Sequence, residues 1–168
     1  MASETPPDAI ELLKADHRKV EDLFEDFEKA RTGSRKAKLV DEICMELKIH
    51  TQIEEEIFYP AVLPKIDEAI VDEGYVEHDG AKILINDLLK SDPTDRFYDA
   101  KVKVLSEDIK HHVQEEERWL RGMFAQSRRT DLDMEELGAA LQARKDELLK
   151  QAKTKAGLPP APLATLKH

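Results

Sequence analysis

The chain is poor in several things at once: one cysteine, six glycines and 5% aromatic residues in 168, with 26 Lys and Arg against 36 Asp and Glu. Each shortage excludes something. Cys44 alone cannot close an internal disulfide, so nothing calls for an oxidising compartment, and it reads as a small buried apolar residue. A formal charge of −10 argues against a nucleic-acid binder, because a phosphate backbone is met by a basic patch that displaces its counterions. No run reaches the ~18 apolar residues of a membrane span. Met1-Ala2-Ser3-Glu4-Thr5-Pro6-Pro7 has neither the basic nor the apolar part of a signal peptide. With 37% charged residues and so few glycines and aromatics, the composition favours helices. The expectation is an all-α, cytoplasmic protein, one domain large enough to bury a core.

What is present is organised around Lys48-Ile49-His50-Thr51-Gln52-Ile53-Glu54-Glu55-Glu56-Ile57-Phe58-Tyr59-Pro60. Residues four apart share one face of a helix, so His50 and Glu54 project together with Ile43, Leu47 and Ile57. An apolar stripe thus has an imidazole and a carboxylate set into it. The theme returns 62 residues later, where His112, Gln114 and Glu116 repeat His50, Gln52 and Glu54. A second pair of dipeptides, Asp16-His17 and Glu77-His78, is spaced by 61 residues, with Leu23 and Leu84 in register. The chain is therefore two helix pairs of one kind, each giving a lone inward histidine and then a histidine and glutamate one turn apart.

In order, residues 1–7 form a leader, and Thr5-Pro6-Pro7-Asp8 reads as a helix start with Thr5 as the hydroxyl cap. The first stripe is Ile10, Leu13, His17, Val20, Phe24 and Phe27. Thr32-Gly33-Ser34 caps a second helix, which Pro60 and Pro64 end or kink. A third, from about 66 to 89, puts Tyr75, His78, Ile85 and Leu88 or Leu89 on one side, with Gly74 a soft point near its middle. Ser91-Asp92-Pro93-Thr94 caps a fourth, with Leu105, Ile109, His112, Glu116, Leu120 and Met123 in phase. Four helices with short connections pack up-down-up-down, which assigns residues 8–126 to a four-helix bundle. Residues 127–156 add a C-terminal helix striped by Met134, Leu137, Leu141 and Leu148, and 157–168 a flexible Pro-rich tail ending in His168.

Four histidines and two glutamates would then face one core. A buried unpaired carboxylate costs several kcal/mol, against a total stability of about 5–15 kcal/mol. No Lys or Arg lies in phase with them, so bound metal is the fitting compensation. Imidazole and carboxylate donors suit Fe, Zn, Mn or Cu. Six donors exceed one tetrahedral zinc and suffice for two ions bridged by Glu54 and Glu116, with His17 and His50 on one and His78 and His112 on the other.

Asp16-His17-Arg18-Lys19-Val20, His50-x-x-x-Glu54 running to Pro60, Glu77-His78 and His112-Val113-Gln114-Glu115-Glu116 together resemble the hemerythrin-like, HHE cation-binding domain over about residues 8–126. The resemblance implies two Fe ions bridged by carboxylates and an oxo or hydroxo group. It also implies binding of dioxygen, nitric oxide or peroxide in redox or nitrosative stress response or sensing, or handling of iron. If such a protein is an enzyme, it is a di-iron oxidoreductase acting on peroxide or nitric oxide. Oxygen carriers of the family have a His-x-x-x-His pair on the third helix, whereas here Gly74 and Lys82 flank His78. That departure points away from reversible oxygen carriage and towards the sensor-like or iron-centre-repair branches.

The remaining polar residues read more plainly. His111, off the stripe, is a rim residue; Glu55, Glu56, Glu115 and Glu117 form an acidic outer face from which one could orient an imidazole; Asp16 and Glu77 are surface acids. An alternative class, the HD-type metal phosphohydrolases, would use His78-Asp79 as ligands, but Asp79 lies off the stripe. The C-terminal helix or tail is the expected surface for a protein partner or self-association. Ile43, Leu47, Ile85 and Trp119 or Leu120 are the expected apolar walls of the site.

Overall fold

The computed structural model describes residues 5–167. These residues form helices and connecting turns, with no strand among them. Helix α1 (Ala9–Lys29) begins one turn later than Thr5 would place it. Asp8 is the cap: its Oδ1 accepts from the Glu11 amide at 2.9 Å, and Glu11 Oε2 accepts from the Asp8 amide at 3.0 Å. This reciprocal pair satisfies two of the amides that a helix start leaves without partners. Thr32 caps α2 (Gly33–Ile53) through the Arg35 amide.

The chain then does something the periodicity does not announce. Glu54–Phe58 forms one wide π turn before a last α turn, α3 (Tyr59–Val62), completes the same rod. Within it the Tyr59 amide reaches back five residues to the Glu54 carbonyl. Pro60, which has no amide proton and whose ring crowds the carbonyl four residues earlier, sits just beyond and is tolerated because the ladder has already been widened.

Helices α4 (Glu68–Leu88) and α5 (Tyr98–Glu117) complete the bundle, α1 packing on α2 and α5, and α4 on α2 and α5. Leu88, not Leu89, faces in. The expected start at residues 91–94 is instead a turn closed by Asp92, Thr94 and Asp95, and α5 begins at Tyr98 without a side-chain cap. Nor does α5 run on to Leu120: it stops at Glu117, Leu120 adopts φ +65°, and Trp119 and Leu120 are 83% and 52% exposed. They are therefore not walls of the site. A short α6 (Met123–Arg128) returns Met123 and Phe124 to the core.

Helix α7 (Met134–Ala152) lies along α1, α2 and the π turn. Gly138 permits this approach, since a Cβ there would stand 2.7 Å from the Pro7 carbonyl oxygen and 2.8 Å from the Ala9 nitrogen. The segment after it is tied back to the bundle by hydrogen bonds. Ala161 exchanges two hydrogen bonds with the Asn86 side chain, both 3.0 Å, and Asp79 accepts from the amides of Ala164, Thr165 and Leu166 and from the Thr165 hydroxyl. Only His168 of this tail lies outside the described residues.

Two apolar clusters fill the interior. Val20, Phe24, Leu47, Ile85 and Ile109 belong to one, and Ile10, Leu13, Ile53, Val71 and Met123 to the other. Along α1, α2 and α4 the inward histidine falls between a residue of the first cluster and a residue of the second, whereas the apolar residues of α5 all belong to the first and the chain meets the second only beyond the helix, at Met123. The fold thus holds a polar layer between two apolar plugs.

Candidate metal centre

His17, His50, Glu54, His78, His112 and Glu116 are all buried and meet in that layer. Their donor atoms form two overlapping groups, His17, His50, Glu54 and Glu116, and Glu54, His78, His112 and Glu116, with the atoms of each within 4.8 Å of one another. Both glutamates belong to both groups. His111 stands outside, its side chain 65% exposed.

The way the donor atoms face each other is informative. His17 Nε2 lies 3.2 Å from Glu116 Oε2, His50 Nε2 lies 3.2 Å from Glu54 Oε1, and His78 Nε2 lies 3.0 Å from Glu54 Oε2. Yet His17 Nε2, His50 Nε2, both oxygens of Glu54 and Glu116 Oε2 are buried without a hydrogen bond. Short distances with misdirected angles mean that the lone pairs converge on common points rather than on each other. Two donors about 2.1 Å from one ion at right angles stand about 3 Å apart, which is the separation observed. The residues present therefore fit a pair of cations.

Electrostatics explain how such a layer survives in an apolar core. Burial and the charge of Glu116 push Glu54 up, but His50 and His78 outweigh them and hold it at about 2. Burial likewise opposes the charged form of Glu116, and His112 and His17 keep it well below the usual range. Burial pushes His112 down, but Glu116 and Glu77 more than reverse this, to about 10. The cluster is built to hold positive charge against two carboxylates that water cannot reach.

Outside the donors is a ring of acids. His17 Nδ1 lies 3.3 Å from Glu117, His50 Nδ1 3.0 Å from Asp16, His78 Nδ1 3.0 Å from Glu55, and His112 Nδ1 3.1 Å from Glu77. An ionised carboxylate only accepts, so each Nδ1 carries a proton, and each Nε2 is the nitrogen left to offer a lone pair inward once a cation takes the place of any proton on it. In every case the acid is the chain neighbour of a donor on one helix and supports the histidine of the next: α1 to α2, the π turn to α4, α4 to α5, and α5 back to α1. Asp16 and Glu77, expected at the surface, are thus supports of the site. Their signal was present in the Asp16-His17 and Glu77-His78 dipeptides. Cations brace the ring from outside: Lys82 bonds both oxygens of Glu55 at 2.8 and 2.9 Å, Lys145 of α7 bonds Asp16, and Arg18 bonds Glu117.

Tyr59 was not anticipated. Fully buried, its hydroxyl donates to Glu116 Oε1 at 2.7 Å and lies 3.1 Å from His78 Nε2, with its ring stacked on His78 at 5.1 Å. Burial holds the phenol protonated, well above its ordinary pKa. Gly74 makes room for it: a Cβ there would be 2.8 Å from the Tyr59 hydroxyl oxygen. The position four residues before His78, where a further histidine was missed in the sequence, is spatially filled by this phenol. Asp79, by contrast, belongs to neither donor group; though buried, its carboxylate is spent on the C-terminal strap.

Beside the histidines is a void of about 10 Å³ lined by Val20, Leu47, Thr51, Ile109 and Val113. That is near the size one water molecule needs. Leu47 is where the sequence placed it, whereas Ile43 and Ile85 do not line this void.

A family model for the hemerythrin HHE cation binding domain matches residues 8–124. The chain is 26% identical over 110 residues to a DNA nickase of Nostoc, covering 66% of this chain but 31% of that protein. It is 28% identical over 141 residues to the uncharacterized protein Rv2633c of Mycobacterium tuberculosis, covering 83% of this chain and 86% of the relative. Among solved structures, the HHE domain-containing homolog of Rv2633c from Mycobacterium kansasii superposes with a TM-score of 0.71 at 25% identity, over 89% of this chain and 94% of that one.

Proposed function

The chain belongs to the hemerythrin HHE cation-binding family, and from that premise we propose that it is a non-haem di-iron protein that binds dioxygen, nitric oxide or peroxide in redox or nitrosative stress. The observation that carries the reading is the pair of overlapping donor groups with orphaned, convergent lone pairs. His17 and His50 would hold one ion and His78 and His112 the other, with Glu54 and Glu116 shared. Bound there, iron supplies a redox-active centre with positions open to small ligands.

The chain's own residues do the rest. The four outer acids fix each imidazole in one tautomer and one orientation. The apolar plugs shield the layer, and the adjoining void of about 10 Å³ has no room for a substrate of more than a very few atoms. Tyr59 places a protonated hydroxyl, bonded to Glu116 Oε1, at the edge of the site beside His78, where carriers of the family have an imidazole. We therefore expect turnover or trapping of reactive ligands rather than reversible oxygen carriage. The Nostoc likeness covers 31% of that protein, and DNA nicking is not part of this reading.

Elemental analysis of protein expressed in iron-replete medium tests it. Two irons per chain with near-ultraviolet ligand-to-iron absorption is the expected result. One zinc per chain without that absorption would overturn it, and repeated oxygenation with full spectral recovery and no peroxide consumption would restore the carrier.

A further inference from the structure

The C-terminal strap roofs a cleft of about 430 Å³, within the ~300–1,000 Å³ typical of small-molecule sites. Leu158, Pro159, Pro160, Pro162 and the half-buried ring of Tyr75 give it apolar walls. Its floor carries Lys48, only 8% exposed. The two acids on the lining are already matched: Lys82 bonds Glu55, and Arg144 bonds Glu56 at 2.7 and 3.3 Å. Lys48 has no carboxylate partner among the described residues. Its ammonium touches one acceptor, the Leu158 carbonyl oxygen, at 3.4 Å.

A buried ammonium with a single long hydrogen bond to a neutral oxygen is short of acceptors, since it carries three donors. Burying a charge is costly unless it is paired. Here the missing partner faces a cleft large enough to bring one in, and the walls select its body. We propose that this cleft is a binding site for a small organic monocarboxylate with a flat apolar body, the carboxylate pairing with Lys48 and the body lying between Tyr75 and the proline-lined strap. A phosphate fits less well, because one unmatched cation cannot balance a dianion and the walls offer it nothing. None of the six donors lines the cleft, although Glu55, which supports His78, and its partner Lys82 do; Lys48 precedes His50 by two residues but opens to the strap side of α2, and the inference stands whether or not the iron reading does.

Benzoate is the probe, with benzyl alcohol as its neutral counterpart, titrated calorimetrically into the full chain as isolated while hydrogen exchange locates the contact. Benzoate should bind saturably and slow exchange across residues 157–166. Benzyl alcohol should bind about tenfold or more weaker, the loss of one charge-assisted bond. Lys48→Met should weaken benzoate by the same factor and leave benzyl alcohol unchanged. Should that variant fail to fold, Tyr75→Ala serves instead and should weaken both probes. Equal affinity for the two probes, undiminished benzoate binding in Lys48→Met, or benzoate that alters iron absorption without protecting the strap would each overturn the proposal.

Discussion

Removing the Asp79 carboxylate should release the strap and little else. The strap has few ties. Asp79 Oδ1 accepts from the Ala164 amide at 2.8 Å, while Oδ2 accepts from the Thr165 amide at 2.6 Å, the Thr165 hydroxyl at 2.7 Å and the Leu166 amide at 2.8 Å. These four bonds hold the carboxyl far below its ordinary range in spite of its burial. A hydrogen bond to a charged group contributes about 1.5–3 kcal/mol net, and bonds sharing one carboxylate do not add, so Asp79→Ala should cost the closed strap about 2–3 kcal/mol. Amide exchange at Ala164, Thr165 and Leu166 should then accelerate by about 30- to 150-fold. The Ala161 pair with Asn86 is independent of Asp79 and should keep most of its protection. Lys82 still has both Glu55 oxygens, so the bundle's thermal midpoint should hold to within a few degrees. Hydrogen exchange by mass spectrometry reads both. Unchanged protection at residues 164–166 would refute the clamp, and equal loosening at Ala161 would show that the strap opens as one unit.

Three further outcomes are expected. His112→Ala should lose at least one metal ion per chain, whereas His111→Ala, at an exposed position, should keep the wild-type stoichiometry by elemental analysis. Gly74→Ala places a methyl 2.8 Å from the Tyr59 hydroxyl oxygen and 3.1–3.2 Å from its ring, so it should destabilise the fold by about 1–3 kcal/mol in denaturant titration; an unchanged midpoint would mean that Tyr59 moves freely. Burial raises the Cys44 thiol to about 12, so the native protein should resist iodoacetamide at pH 8 and react on unfolding.

How much of this was readable from the chain differs by residue. His17, His50, His78, His112, Glu54 and Glu116 were legible because burying a helix stripe imposes a period of 3.6, and an ionisable residue in phase with that stripe stands out. The all-helical bundle followed from the same period. Asp16 and Glu77 were misread because a residue next to a ligand lies ~100° around its own helix, which on an isolated helix means solvent. In a four-helix bundle that direction is the neighbouring helix. Tyr59 was missed because a helical count from Glu54 assumes regular turns, and the π turn is a tertiary compromise with Pro60. The partners of the strap were not legible, since its hydrogen bonds go to Asp79 and Asn86, about 80 residues away in the chain. Such pairings have no local signature.

The wide turn at Glu54–Phe58 makes one rod into two sections with separate azimuths. Upstream of it the rod aims imidazole and carboxylate inward; downstream the same rod aims a phenol at the same centre, a direction a uniform helix could not give to both. The extra residue in the turn acts as an angular offset between ion-holding side chains and the side chain that addresses whatever the ion holds. Taking out one residue between Glu55 and Phe58 would swing Tyr59 aside by ~100° while His50 and Glu54 kept their places. Grip and reactivity are thereby set on different sides of a single turn, and each can be retuned without disturbing the other.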